Sequence, residues 1–487
     1  MKKIVALILA ILFCFMAVAC AKEGADTAAT SKDATSATTT GAPKEDTPPA
    51  PLLAGFAERD FTPTEMGGDI PGGSGRVTAT DVGLHLFANA AAFESNGNSL
   101  IMVSMDILMF LDTSANEARQ RISEATGVPE KNILIAATHT HYGVGLNYRF
   151  YQAEPDEEAF NHAFDMAVEA AVEAWESREL CKMGTGTTTL EGYSFCREAF
   201  MTNGDVNTWP SKSRIDKLIS DVDRSVNVMR FDDNGGNTKC FIVNYANHPD
   251  SSEYGVYSSD YPGYMRDFLK KEYGEDVIIL YFNGPQGDVN YVDYLGGGSG
   301  GRDNFAIGLA LANKVIELNK TIKADEEYPV IATSSRLYSV AQRHPSEEDL
   351  AWGEAIMEKV ANGESVNELD KSFALEYTTA DYSKLGNTYQ IEIHAIVFGN
   401  FAMVGLPCEP FSEIGLKIKK GSPYKNTFVI ALANGQHGYI APDFIQGTSS
   451  YPARFSMYNA PSGKGTANTL ITKSIIMLKQ LKSDVGR

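Results

Sequence analysis

The sequence predicts a mixed α/β fold with helices flanking the sheet, and three observations carry that expectation. Apolar runs of strand length recur along the chain, amphipathic helical stretches alternate with them, and polar side chains cluster directly after the runs. The clearest case is Ile133–Ala137, a run of small or aliphatic residues that reads as a buried strand and leads into Thr138-His139-Thr140-His141. In extended backbone, imidazoles at i and i+2 point to the same side. Gly143 and Gly145 then let the chain turn away close to whatever the imidazoles hold. A histidine pair at the exit of a buried strand points to metal ligation or to acid–base chemistry.

The chain opens with Lys2-Lys3 and the apolar run Ile4–Ala19, the charged and apolar regions of an export signal. The run is too short and wrongly flanked for a membrane-spanning helix. It ends in Ala17-Val18-Ala19-Cys20, which resembles a bacterial lipoprotein signal, with Cys20 as the lipidated residue that anchors the chain to the outer face of a membrane. Residues 20–51 are Ala, Thr, Ser, Lys, Asp and Pro with almost nothing large enough to pack, so they read as a flexible stalk. Residues 52–487 are left for the catalytic domain. The formal charge of −20 argues against nucleic acid as a partner. Beyond the leader, Cys181, Cys196, Cys240 and Cys408 show no zinc-type CxxC spacing, and Cys181 could pair with Cys196 only if their strands are neighbours.

The folded part begins with a strand at Ala54–Pro63, then a loop rich in Gly and Pro to Arg76. Ser99–Leu108 is a strand closing on Asp106. Thr113-Ser114 offers N-cap chemistry for a helix that ends near Gly127 and Pro129 and delivers the chain into the Ile133 strand. A long helix follows at Glu157–Trp175. Cys240–Pro249 reads as the next strand, with His248 at its end, and a helix from Pro262 to Tyr273 leads to the strand Asp276–Phe282. The loop Asn283–Asn290 presents polar side chains on glycines. Leu295–Arg302 is glycine-rich but lacks the lysine and hydroxyl of a phosphate-binding loop. Tyr328–Val340 and Tyr389–Phe398 read as strands. Gly399-Asn400 turns the second of these into Phe401–Leu406, which places Glu409 at a strand-to-helix junction. Thr427–Ala433 is the last strand, before Asn434–Ile440, and a helix from Thr466 to Leu481 closes the chain.

The informative regularity is one of position. His139, His141, His248, Asp288, Asn290, Glu409, His437 and Tyr439 all lie just after apolar strands. In open α/β sheets the loops beyond the strand C-termini form the ligand crevice, so these residues are expected on one rim. Two histidines, a glutamate and a tyrosine would give a mixed nitrogen and oxygen set suited to a catalytic zinc.

At this point the chain resembles the neutral/alkaline non-lysosomal ceramidases, a family of zinc-dependent amide hydrolases. The likeness rests on Gly55–Pro63, Ala137–His141, Asn247-His-Pro249 with Ser259–Gly263, Gly287–Asn290, Leu406–Glu409 and Asn434–Tyr439, in the family's order. It implies zinc ligands at His139, His248, Glu409 and Tyr439, with His141 beside the metal. It also implies catalytic contacts to substrate from Arg197 and Tyr451, Tyr458 being the rival to the latter. Three departures matter, of which the first and the last bear on ceramide as substrate. Asn290 stands where the ceramidases have a serine proposed as catalytic, and Cys408 stands where they usually have glycine. The chain also ends soon after the Tyr439 segment, which implies the catalytic N-terminal domain without the family's immunoglobulin-like one.

The resulting expectation is a zinc-dependent amidohydrolase acting on an N-acyl lipid such as ceramide. Metal-activated water is the expected nucleophile, because the amide of Asn290 has no proton that a base can usefully remove. The alternatives are a zinc hydrolase of a soluble amide or cell-wall-derived compound, and a solute-binding lipoprotein without catalysis.

Overall fold

The computed structural model describes residues 49–296 and 301–486. The expected leader, Cys20 and all but the last residues of the stalk lie outside the described residues. In chain order the first half comprises β1 (Leu53–Asp60), β2 (Phe87–Ser95), β3 (Asn98–Met105), α1 (Asp112–Thr126), β4 (Ile133–Ala137) and α2 (Glu157–Glu176). Next come β5 (Glu179–Thr189), β6 (Ser225–Asp233), β7 (Thr238–Tyr245), α3 (Asp260–Tyr273), β8 (Ile278–Asn283) and α4 (Asn304–Asn319). The rest is β9 (Ile331–Ala341), α5 (Glu347–Ala361), α6 (Glu368–Thr379), β10 (Thr388–Phe398), β11 (Phe401–Gly405), α7 (Ser412–Gly421), β12 (Asn426–Ile430) and α8 (Thr466–Asp484).

The fold is mixed α/β, as the sequence predicts, but its strands form two large sheets. One has the order β8-β7-β6-β5-β1-β2-β3-β4, parallel at β7–β8 and β3–β4 and antiparallel between. The other has the order β9-β10-β11-β12, parallel only at β11–β12. Strand β5 is a corner: it pairs with β1 only at Glu179 and Leu180, then runs with β6 from Cys181 to Thr189. The corner turns the long sheet back on itself, so that Ser104 Oγ in β3 donates to Tyr281 O in β8, although these strands stand near opposite ends of the order.

The alternation of side chains along each strand decides what lies where. Inward residues such as Phe93, Met102, Leu134, Phe231, Phe282, Phe398 and Ile430 meet in one apolar core enclosed by both sheets. Outward residues pack under helices: α1 and α2 cover β1–β4, α3 and α4 cover β6–β8, and α7 and α8 cover β10–β12. All five residues of β4 are buried, which explains a run with no polar side chain.

One local expectation needs correction, and two open points are settled. Helix α1 is capped from Leu111, with no side-chain bond, because Thr113 and Ser114 already lie inside its first turn and Asp112 supplies the acidic charge there. Cys181 and Cys196 are free thiols, as are Cys240 and Cys408. The segment between β9 and β10 is a helical hairpin, α5 and α6. It leaves at Ala341 and returns at Thr388, residues that face each other in the ladder. Its Phe373 and Tyr377 pack against Phe455, with Tyr151 and Tyr451 alongside. Among the described residues no helix is long and apolar enough to cross a membrane.

Candidate active site

The ends of β4, β7, β8, β11 and β12 are tied together by a few buried polar groups. Asn283, the last residue of β8, donates from Nδ2 to Thr138 O at 3.2 Å and to Asn247 O at 2.8 Å. It also accepts on its backbone oxygen from Ala431 N, just past β12. These bonds bring the segments carrying His139, His248 and Tyr439 to one place. Glu409 and Tyr439 are register partners in a short parallel pairing of Glu409–Pro410 with Tyr439–Ile440. Asp288 fixes the turn after Glu409 by accepting from both Ser412 N (2.6 Å) and Ser412 Oγ (2.8 Å).

The two histidines after β4 do not converge for the reason their spacing suggests. β4 ends at Ala137, and His139 has φ of 71°, a left-handed conformation rare for any residue but glycine and asparagine. His139 and His141 are nonetheless neighbours, with ring centroids 5.0 Å apart, and His248 lies 5.0 Å from His139 and 5.7 Å from His141. One ring nitrogen from each of the three lies within 4.8 Å of the others, an arrangement able to hold a metal ion.

The protons of this trio are fixed by backbone carbonyls. His139 Nδ1 faces Leu108 O, His141 Nδ1 faces Gly72 O and His248 Nδ1 faces Val289 O, each at 2.8 Å. A carbonyl only accepts, so each Nδ1 carries the proton and each Nε2 presents a lone pair. Gly72 is required for its part, since a Cβ there would stand 2.3 Å from His141 Cβ. Glu409 Oε2 lies 3.1 Å from His139 Nε2 and 3.3 Å from His248 Nε2. Neither His139 Nε2, His141 Nε2 nor Glu409 Oε2 has a hydrogen-bond partner among the described residues. Electron pairs thus face one another in a buried place, a donor set that fits a cation.

The electrostatics agree. Burial, then the charge of Arg197, pushes His248 down to about 3, and burial with the two neighbouring histidines pushes His141 well below its ordinary value. Burial opposes ionisation of Glu409, but its contacts with His139 and His248 outweigh it, and the carboxyl is held well below its usual range. The cluster therefore calls for one positive charge shared among its heteroatoms.

Tyr439 Oη lies 3.4 Å from His248 Nε2 and accepts from Arg197 Nη2 at 3.1 Å. The same Arg197 nitrogen donates to Gly287 O at 3.0 Å. Tyr451 stacks edge-on to Tyr439 at 5.6 Å and bonds Tyr151 through its hydroxyl. His141, Arg197, Tyr439 and Tyr451 all line a cavity of about 470 Å³, with Asp250, Trp209 and the backbone of Gly72 and Gly73. Tyr458, the rival to Tyr451, instead stacks on Tyr148 and is not part of that wall.

Asn290 is buried but does not line the cavity; its Oδ1 accepts from Val292 N at 2.8 Å and closes a turn. His437 packs on Tyr389, away from the histidine trio. Several groups at the site carry no signal in the sequence. Asp250 borders the cavity with a buried Oδ1 that has no partner among the described residues, and burial pushes it up to about 7. Glu198, next to Arg197, is buried, accepts from Thr208 Oγ1 (2.6 Å) and Ser450 Oγ (2.9 Å), and is likewise raised by burial to about 7.

Comparison with known proteins adds the family. The chain is similar in fold to the crystal structure of neutral ceramidase from Pseudomonas aeruginosa, with a TM-score of 0.66 at 16% identity over 89% of this chain and 75% of that one. It is equally similar to a ceramidase complexed with C2, with a TM-score of 0.66 at 17% identity over 89% of this chain and 76% of that one. No curated protein sequence matches the chain. Residues 53–287 match the family model described as neutral/alkaline non-lysosomal ceramidase, N-terminal. Through that segment the chain resembles the neutral/alkaline non-lysosomal ceramidases, a family of hydrolases.

Proposed function

We propose that the protein hydrolyses the amide bond of an N-acyl lipid such as ceramide, with zinc held by His139, His248, Glu409 and Tyr439. The observation that carries this reading is the convergence of proton-free Nε2 atoms on a buried carboxylate oxygen, beside a cavity lined by Arg197 and Tyr451. Bound zinc supplies Lewis acidity toward the carbonyl and a nucleophile from water at neutral pH. The chain's own residues do the rest. His141, fixed through Nδ1 by Gly72 O, turns its bare Nε2 toward the place of attack, where it can hold or accept a proton from water. Arg197 and Tyr451 donate toward the carbonyl oxygen as it gains charge, contacts of a kind that are worth about 3–4 kcal/mol each. Direct attack by water suits a chain in which Asn290 replaces a hydroxyl and spends its side-chain oxygen on a turn.

A second reading, a soluble or cell-wall-derived amide, draws support from the wall itself. Tyrosines and polar residues such as Ser74, Asn367 and Glu368 outnumber the aliphatic Ile70, Val77 and Leu369. The Lys2-Lys3 leader and the residues before Cys20 support an exported lipoprotein tethered at the outer face of a bacterial membrane.

The test is hydrolysis of fluorogenic N-acyl amides, with and without chelator, alongside metal analysis of the purified protein. About one equivalent of zinc is expected, mostly lost in His248→Ala together with activity. Full metal content and activity in that variant would refute the ligand set.

A further inference from the structure

Beside the reaction cavity lies a second one of about 600 Å³, and Trp209, Leu369 and Tyr451 line both. A ligand that passes this shared wall leaves the amide site and enters a pocket roofed by the α5–α6 hairpin. Its charges are unequally satisfied. Arg454 is paired with Asp370 at 2.8 Å and lies 4.1 Å from the ring centres of both Trp352 and Phe373. Asp349 is engaged in the cap of α5, accepting from Ser346 N and Ser346 Oγ.

Arg343 is different. Among the described residues no carboxylate oxygen lies within 4.0 Å of its guanidinium, whose side-chain bond goes from Nη1 to Ala460 O at 3.1 Å. A guanidinium offers five N–H donors in a planar fork. Here it is half-buried above Phe455, with its ring centre at 5.7 Å, on the wall of a cavity. Asp349 on the same wall acts on this cation only from beyond ion-pair distance, and a partly desolvated guanidinium with spare donors and no direct ion pair fits an anion of planar or tetrahedral shape.

We propose that this second cavity is a substrate subsite in which Arg343 holds an anionic group on the part of the substrate remote from the scissile amide. The substrate class is then an N-acyl compound with an acidic end. The inference rests on the amide-hydrolase reading and narrows it. Two sources share the chemistry: a soluble amide ending in a carboxylate, and an N-acyl lipid with a sulfated head.

The full chain is assayed on matched pairs. One pair is a chromogenic N-acyl amide ending in a carboxylate and its methyl ester; the other is a sulfated and a hydroxyl-headed N-acyl lipid in the same detergent micelles. The acidic member of at least one pair should have a KM lower by about ten-fold, the size of one charge-assisted contact, and the pair that shows it names the source. Arg343→Gln should erase that preference by raising KM for the acid, and Arg343→Lys, which keeps the charge, should restore part of it. Binding is read separately by quenching of Trp209 and Trp352 fluorescence with glutarate, expected to saturate in the wild type and to weaken about ten-fold in Arg343→Gln. Hydrolysis without preference in either pair, or glutarate binding unchanged by the substitution, overturns the subsite. Absence of all amide hydrolysis with intact glutarate binding overturns the amide reading instead and leaves the anion site standing.

Discussion

Asn434 closes a two-bond pair with Ile135: its backbone N–H donates to Ile135 O at 2.7 Å and its Oδ1 accepts from Ile135 N at 3.0 Å. β4 is the outer strand of its sheet, so a single residue satisfies backbone that another strand would otherwise cover. The pair joins the strand before His139 to the segment before Tyr439. Asn434 also has φ of 62°, where alanine is strained. Asn434→Ala should lose about 1–3 kcal/mol for the orphaned N–H, with roughly 1–2 more for the backbone. Asn434→Gly keeps the conformation and loses only the side-chain bonds to Ile135, Glu392 and His394, so thermal unfolding should rank wild type above glycine and glycine above alanine. Equal midpoints for glycine and alanine would contradict the backbone argument.

Asn290 is expected to act through its turn. Asn290→Asp retains an oxygen for Val292 N, whereas Asn290→Ala leaves that N–H without its partner. The alanine variant should lose about 1 kcal/mol of stability and about 10–100-fold in rate, and the aspartate variant should recover most of both. A rate lost equally in the two variants would give the amide a direct part in the reaction.

Glu198 is expected to position Tyr451. Its carboxyl accepts from Thr208 Oγ1, which in turn accepts from Tyr451 N at 2.8 Å, while its other oxygen holds Ser450. Glu198→Ala should lower kcat by about 10–100-fold, the effect of displaced geometry, with metal content unchanged. Glu198→Gln, which keeps one acceptor, should fall between. Metal lost along with rate would instead indicate collapse of the whole site.

His394 gives a pH signature away from the candidate metal site. Its Nδ1 lies 3.1 Å from Asn434 Nδ2, which donates to it, and burial first, against the pull of Glu392, depresses it to about 4. The folded state therefore resists protonation that the unfolded chain accepts near pH 6.5. Between about pH 6.5 and 4 the unfolded state binds more protons, so this group's stabilisation is full above that window and is lost as pH falls through it, by up to about 1.4 kcal/mol per pH unit. Urea unfolding of wild type and His394→Gln at pH 7 and pH 5 should show the smaller loss in the variant. Identical losses would remove His394 from the account.

What was legible in the sequence was whatever short-range patterning controls. β4 occupies Ile133–Ala137, the run that reads as a strand, and α2, α3, β10 and α8 fall within a few residues of their expected places. The rim residues His139, His141, His248, Glu409 and Tyr439 also come together, because each follows a strand whose end is buried. Strands β2 and β5 carry little sequence signal because their Ala, Thr and Gly content dilutes the alternation that marks a strand. The folding-back of the long sheet was hidden because it depends on the corner in β5, a tertiary event. Gly72 and Glu198 lacked a signal for the same reason: each matters only through what lies across from it.

The α5–α6 hairpin departs from Ala341 and returns at Thr388, which face each other in one ladder. A segment whose two ends meet can be exchanged, shortened or replaced by a tight turn without shifting the register of the strands beneath it. The part that roofs the second cavity thus lies outside the strands that carry the three histidines, although its Asn367, Glu368 and Leu369 also line the reaction cavity. Substrate range can then vary while the histidine cluster stays in place, and grafting a different hairpin between β9 and β10 offers a route to retarget the enzyme by reshaping the walls of both cavities.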